Sequence, residues 1–162
     1  MDDLGLYEAL HTDPGMMAEL GGPLPRDGLA AKVRNLVEET GRGEIWYRVI
    51  VPDPGEESAG TVCVWRHDED GEPINEIGWM VLPGFQGRGL ATQAVRAVLD
   101  EARTTRRWDV IHAYPGVTNA SSNAICRKAG FEKKGEKQIL YGDRTLHCNH
   151  WVIELRDFDR PS

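Results

Sequence analysis

Apolar residues recur along the chain in two periods, and the switches between them divide it into helices and strands. From Leu4 to Leu20 the spacing predicts one or two short helices, broken at Asp13-Pro14-Gly15 and ended by Gly21-Gly22-Pro23. Within Arg26 to Thr40, the residues Leu29, Val33, Leu36 and Val37 recur at helical spacing, and Gly41 is the expected stop. β-Branched and aromatic residues then take over. Glu44 to Val51 reads as a strand in which Ile45, Tyr47, Val49 and Val51 alternate with Trp46, Arg48 and Ile50. Turns at Asp53-Pro54-Gly55 and Asp70-Gly71 separate it from strands at Gly60 to Arg66 and Ile74 to Leu82, giving an antiparallel meander. After Pro83 the period returns to helical, with Ala94, Val95, Val98, Leu99 and Ala102 on one face, and Trp108 to Tyr114 follows as a strand. A strand, helix, strand unit implies a parallel pair at this point. A helix from Asn119 to Lys128 ends at Gly130, and two late strands, Phe131 to Tyr141 and Arg144 to Leu155, turn at Gly142-Asp143. The pattern specifies a mixed α/β (α+β) domain.

With no repeat, linker or shift in composition, the 162 residues are expected to form one domain, residues 1–162, long enough to bury a core. A hydrophobic content of 40% and a charged content of 28% belong to a folded, soluble protein. The net charge of −7 argues against a general electrostatic grip on nucleic acid and suits a cationic substrate better. The basic stretch from Arg103 to Arg107 reads as a solvated helix end. Cys63, Cys126 and Cys148 are far apart and lack paired metal or redox spacing, so reduced structural thiols are expected. No run approaches ~18 apolar residues and no basic-apolar leader is present, which predicts no membrane segment and a cytoplasmic location.

The segment from Ile77 through Gln86-Gly87-Arg88-Gly89-Leu90-Ala91 to Thr92 runs from a strand through a glycine-rich turn into a helix. The first N–H groups of a helix lack intrahelical partners and carry the positive end of its dipole, so a pyrophosphate satisfies both. Gly87 and Gly89 clear the approach, and Ala91 keeps the first turn small. A capping turn alone explains the glycines about as well. The spacing fits neither the Walker loop nor the dinucleotide fingerprint.

The turn does resemble the acetyl-CoA signature of the GNAT superfamily, [QR]-x-x-G-x-[GA], here Gln86-x-x-Gly89-x-Ala91 after a strand ending Val81-Leu82-Pro83. A second stretch, Asn119-Ala120-Ser121-Ser122 through Gly130-Phe131, looks like the family's N-x-x-S…G-F helix. Glu76-Ile77-Gly78-Trp79, Ser122-Asn123-Ala124 and Cys148-Asn149-His150-Trp151 are similar to the branch holding ribosomal-protein N-terminal and some aminoglycoside acetyltransferases. The resemblance extends from Leu10 to Leu155. It implies a GNAT fold: a central, mostly antiparallel mixed sheet splayed at a parallel strand pair and flanked by helices, with pantetheine in the opening. The family's usual first strand has no counterpart here, since the first helix starts almost at Met1. That leaves a sheet edge for which pairing across a homodimer is one expectation.

By the same resemblance the cofactor is acetyl-CoA, used as co-substrate without a metal, and Val81, Gln86, Gly87, Arg88, Gly89, Leu90, Ala91 and Asn119 become its contact candidates. From its residues alone, Asn119 is a helix N-cap. The implied reaction transfers acetyl to a primary amine by direct attack in a ternary complex. A lysine-like amine is neutral in only roughly one molecule per 10³ near neutral pH, so a base or water relay helps. Glu76, on the face of its strand shared with Gly78 and Met80, is the leading base; the competing readings are an electrostatic contact to the amine and an edge salt bridge. Ser122 is the candidate proton donor to the departing thiolate or hydrogen-bond partner of its sulfur, with a structural serine the alternative. Tyr114 and Tyr141 are alternative hydroxyls. Cys126 invites an acyl-cysteine route, but its helical position and lack of a base favour a buried thiol. His67, His112, His147 and His150 show no ligand spacing. Trp79, Trp108 and Trp151 read as core or cleft walls. The acceptor stays open, and a non-catalytic acyl-CoA-binding sensor or interaction module is the alternative from another class.

Overall fold

The computed structural model describes residues 3–141 and 143–156; Met1 and Gly142, half of the expected Gly142-Asp143 turn, lie outside them. Helix α1 (Asp3–His11) and a short 3₁₀ turn (Ala18–Leu20) precede α2 (Leu29–Gly41). The strands β1 (Trp46–Ile50), β2 (Gly60–Glu69) and β3 (Glu72–Val81) form the meander. After a 3₁₀ turn at Pro83–Phe85 come α3 (Leu90–Thr105), β4 (Val110–Ala113), α4 (Ala120–Ala129), β5 (Glu132–Tyr141) and β6 (Arg144–Glu154).

The six strands make one sheet in the order β1-β2-β3-β4-β6-β5. Every neighbouring pair is antiparallel except β3 and β4. The parallel pair shares a single register contact, Glu76 with His112, after which β3 runs on to Val81 without β4 beside it. A splayed sheet is the outcome, and the splay lies where the strand, helix, strand pattern put the parallel pair. Among the described residues no strand precedes α1, and β1 forms the sheet edge.

The predicted face of α3 supplies the core. Val95, Val98, Leu99 and Ala102 are buried against a sheet face that includes Val62, Val64, Ile77 and Ile111. Each fully buried aliphatic side chain contributes roughly 1.5–3 kcal/mol. The helix is capped at its far end by Arg106, held at positive φ.

In β1 the buried residues are Trp46 and Ile50, while Val49 and Val51 are 36% and 48% exposed. The inward face is therefore Trp46 and Ile50, because the core lies on the α3 side and Trp46 pairs with Val64 of that face. Helix α2 ends at Gly41, the expected stop, and beyond the Arg42 cap Gly43, at a φ of 74°, donates its N–H to Thr40 O. On α2 only Leu29 is fully buried, and Val37 is 55% exposed because it lies off the face turned to the sheet.

Candidate active site

The first wall of the opening is the end of β3 and the turn that follows. Leu82 N–H donates to Ala59 O at 2.8 Å, so the strand's alternation turns the N–H and C=O of Val81 to the other side, toward the gap. Val81 O accepts Gln86 Nε2 at 2.9 Å. Gln86 thus braces the strand end. Gly87 and Gly89 both have φ of 76°, and Gly89 is the N-cap of α3. The glycines are required by this left-handed backbone, and a Cβ at Gly87 would meet nothing within 4 Å. From Gly87 to Thr92 the N–H groups find no backbone acceptor among the described residues, and the helix ladder begins with Gln93 N–H on Gly89 O. Leu90 and Ala91 anchor the turn on the cluster of Ile50, Ala59 and Val81. Arg88 pairs with Glu56 at 3.6 Å and lies over the Phe85 ring. The turn therefore presents a run of unused donors beside an exposed guanidinium.

The second wall is the loop from β4 to α4. Asn119 caps α4, its Oδ1 accepting Ser122 N–H at 3.0 Å and Ser121 Oγ–H at 3.0 Å, which is the role its residue type alone predicts. Ser122 is half-buried in the first helical turn. Asn123, quoted in the sequence within Ser122-Asn123-Ala124 but given no role there, is the polar hub: Nδ2 donates to Gly116 O and Asn119 O, and Oδ1 accepts from Asn149 Nδ2 and Trp151 Nε1. The segment between α1 and α2 spans both walls. Met16 Sδ accepts Gln86 Nε2 at 3.6 Å, while Thr118 Oγ1 donates to Glu19.

Glu76 sits where the opening begins, opposite Trp65 of β2 and beside His112 of β4. The Trp65 ring lies 3.1–3.2 Å from where a Cβ on Gly78 would be. Glu76 Oε2 is 2.7 Å from His67 Nε2. Burial raises the Glu76 carboxyl above its ordinary range, and His67 opposes that. Beyond it, Tyr114 donates to Glu69, Lys137 pairs with Glu69 at 3.0 Å, and His112 Nδ1 lies 2.9 Å from His150 Nε2. Burial raises the Tyr114 hydroxyl, and Glu69 raises it further. Burial would also raise Glu69, but Tyr114 and Lys137 hold it below the usual carboxylate range.

The structure thus brings Val81 together with Gln86, Asn119 with Ser122, and Glu76 with His67. Glu69 and Lys137 escaped the sequence reading, and His67 was read there only as lacking ligand spacing, although the Asp70-Gly71 turn carries a signal: its register pairs Trp65 with Glu76. Tyr141 is exposed on β5. Cys126 is fully buried on α4, out of reach of a substrate, and burial pushes its thiol and that of Cys63 up to about 12, against the acyl-cysteine route. The three cysteines are free, and among the described residues no group of metal-ligating side chains forms a metal site.

The family model of the acetyltransferase (GNAT) domain matches residues 1–132. No curated protein matches the sequence. Among solved structures, spermidine N-acetyltransferase from Vibrio cholerae, in complex with CoA and spermine, is similar with a TM-score of 0.76 at 18% identity, over 94% of this chain and 90% of that one. Ribosomal-protein-S5-alanine acetyltransferase from Vibrio fischeri gives 0.74 at 17% identity, over 94% and 88%. A GNAT-family acetyltransferase from Bacillus anthracis gives 0.71 at 20% identity, over 94% and 89%. At these identities the likeness is one of fold.

Proposed function

The chain belongs to the GNAT acetyltransferase family, and from that premise we propose that it transfers acetyl from acetyl-CoA to a primary amine by direct attack in a ternary complex. The observation that carries this reading is the run of unused N–H groups from Gly87 to Thr92, set beside the strand end that the splay leaves open. A pyrophosphate there gains fixed donors, the helix dipole and Arg88. Gln86 holds Val81 in position, and the Val81 N–H faces the gap where pantetheine runs. Asn119 acts through its cap, fixing the α4 turn that carries Ser122. When bound, acetyl-CoA supplies the thioester. Glu76 takes the amine proton, and Ser122 donates to the departing sulfur. The acidic balance of −7 favours a cationic acceptor. We place the enzyme, as one domain, in a reducing compartment such as the cytoplasm, which its three free cysteines suit.

The test is Gly89→Asp. Aspartate tolerates the left-handed φ of this position better than most side chains, and its carboxylate sits where the phosphates are proposed to bind. The variant is expected to stay folded and to bind acetyl-CoA at least tenfold more weakly by calorimetry, about 1.4 kcal/mol. A folded variant with parental affinity removes the turn as the cradle. Free-CoA detection with a panel of amines, including spermidine and a peptide with an N-terminal alanine, identifies the acceptor class.

A further inference from the structure

We infer that His67 is the relay partner of Glu76, the two side chains holding one shared proton and together carrying the acceptor's proton to solvent. The inference rests on the acetyl-transfer reading above. It starts from the two nitrogens of one ring. Nε2 is 2.7 Å from Glu76 Oε2, and Nδ1 is 3.2 Å from the carbonyl of Asp68. Both nitrogens therefore face oxygen acceptors, and a neutral imidazole has one proton to give. With Nδ1–H donated to Asp68, the contact at Glu76 needs a second proton, carried by either Nε2 or Oε2. Either way one proton lies between them. Oε1 of Glu76 is then the atom free to accept another.

The surroundings fit a path outward. Glu76 is 18% exposed and His67 34%, so the proton enters at the inner group and leaves from the outer one. Glu69, Tyr114, Cys63 and Cys148 act on Glu76 or feel its charge, and His112 feels that of His67. Glu69 is taken by Tyr114 and Lys137, and His112 by His150. Among the described residues, His67 is the titratable side chain hydrogen-bonded to Glu76.

The step balances. The acceptor ammonium loses H⁺ to Glu76 Oε1, and the pair goes from net charge zero to plus one. The freed amine forms the C–N bond as the C–S bond breaks, the sulfur taking the Ser122 hydroxyl proton and the proton that leaves the nitrogen restoring that hydroxyl. His67 returns the first proton to water, so the net products are amide, CoA thiol and H⁺.

His67→Gln tests the relay because glutamine can still donate to Glu76 but cannot carry a proton. With acetyl-CoA and the most active amine of the panel, kcat is expected to fall roughly tenfold or more, with unchanged acetyl-CoA affinity. The loss should shrink as pH rises, and added imidazole should restore turnover. In the free enzyme, ¹⁵N NMR of the His67 ring should show Nε2 moving on Glu76→Gln while Nδ1 stays. Full turnover in Glu76→Gln overturns the base reading and the relay with it. Slow Glu76→Gln beside His67→Gln at parental kcat over the whole pH range overturns the relay alone, as does an Nε2 signal indifferent to Glu76→Gln.

Discussion

Truncating Asn123 to alanine removes the polar hub of the second wall. Its Oδ1 accepts from Asn149 Nδ2 at 2.8 Å and Trp151 Nε1 at 2.9 Å, both on buried residues of β6. Its Nδ2 donates to Gly116 O and Asn119 O, but each of these carbonyls keeps a backbone donor, Asn119 N–H and Asn123 N–H respectively. The loss therefore concentrates on two stranded donors, each costing about 1–3 kcal/mol when left unpaired in the interior. A total of about 3–4 kcal/mol is expected, or a fall in Tm of roughly 6–16 °C for a chain of this size. Thermal and urea unfolding of the variant measure it. Trp151→Phe supplies the cross-check, since it removes one of the stranded donors: it should cost stability in the parent and little or nothing in the Asn123→Ala background. A variant within about 1 kcal/mol of the parent, or a Trp151→Phe cost equal in both backgrounds, refutes the reasoning.

Gly78→Ala sets a Cβ 3.1–3.2 Å from the Trp65 ring, forcing the indole off Gly78 beside Glu76; a stability loss of about 1–3 kcal/mol and slower turnover are expected, and an unchanged Tm would count against that packing. Burial lowers the folded-state pKa of His112, helped by its neighbour His150, and burial also lowers that of His150. The unfolded chain then binds more protons, so stability should be full above about pH 6.5 and decline as pH falls below it; His150→Gln should flatten that decline, as followed by urea midpoints. Cys126, buried and pushed up to about 12, should resist a thiol reagent at neutral pH until the protein unfolds, which timed labelling with mass detection checks.

Much of this molecule is legible in one dimension. The face of α3, the two-residue turn at Asp70-Gly71, the caps Asn119 and Gly130 and the strand, helix, strand unit rest on local rules, and all appear in the fold. The Gln86 to Ala91 turn was readable because its left-handed backbone demands glycine at Gly87 and Gly89. Which face of β1 turns inward was not, because alternation defines two faces and only the position of α3 chooses between them. The roles of Gln86 and Asn123 were also hidden, since each side chain finds its partners on another element or across a turn. The acid–base cluster belongs wholly to tertiary structure. His67, Glu69, Glu76, His112, Tyr114, Lys137 and His150 come from five strands or their ends, and apart from Glu76 and Tyr114, which the resemblance singled out, each reads alone as an ordinary polar residue. Residues far apart in sequence change one another's proton affinity only where the sheet brings them within a few ångströms, a distance no linear pattern encodes.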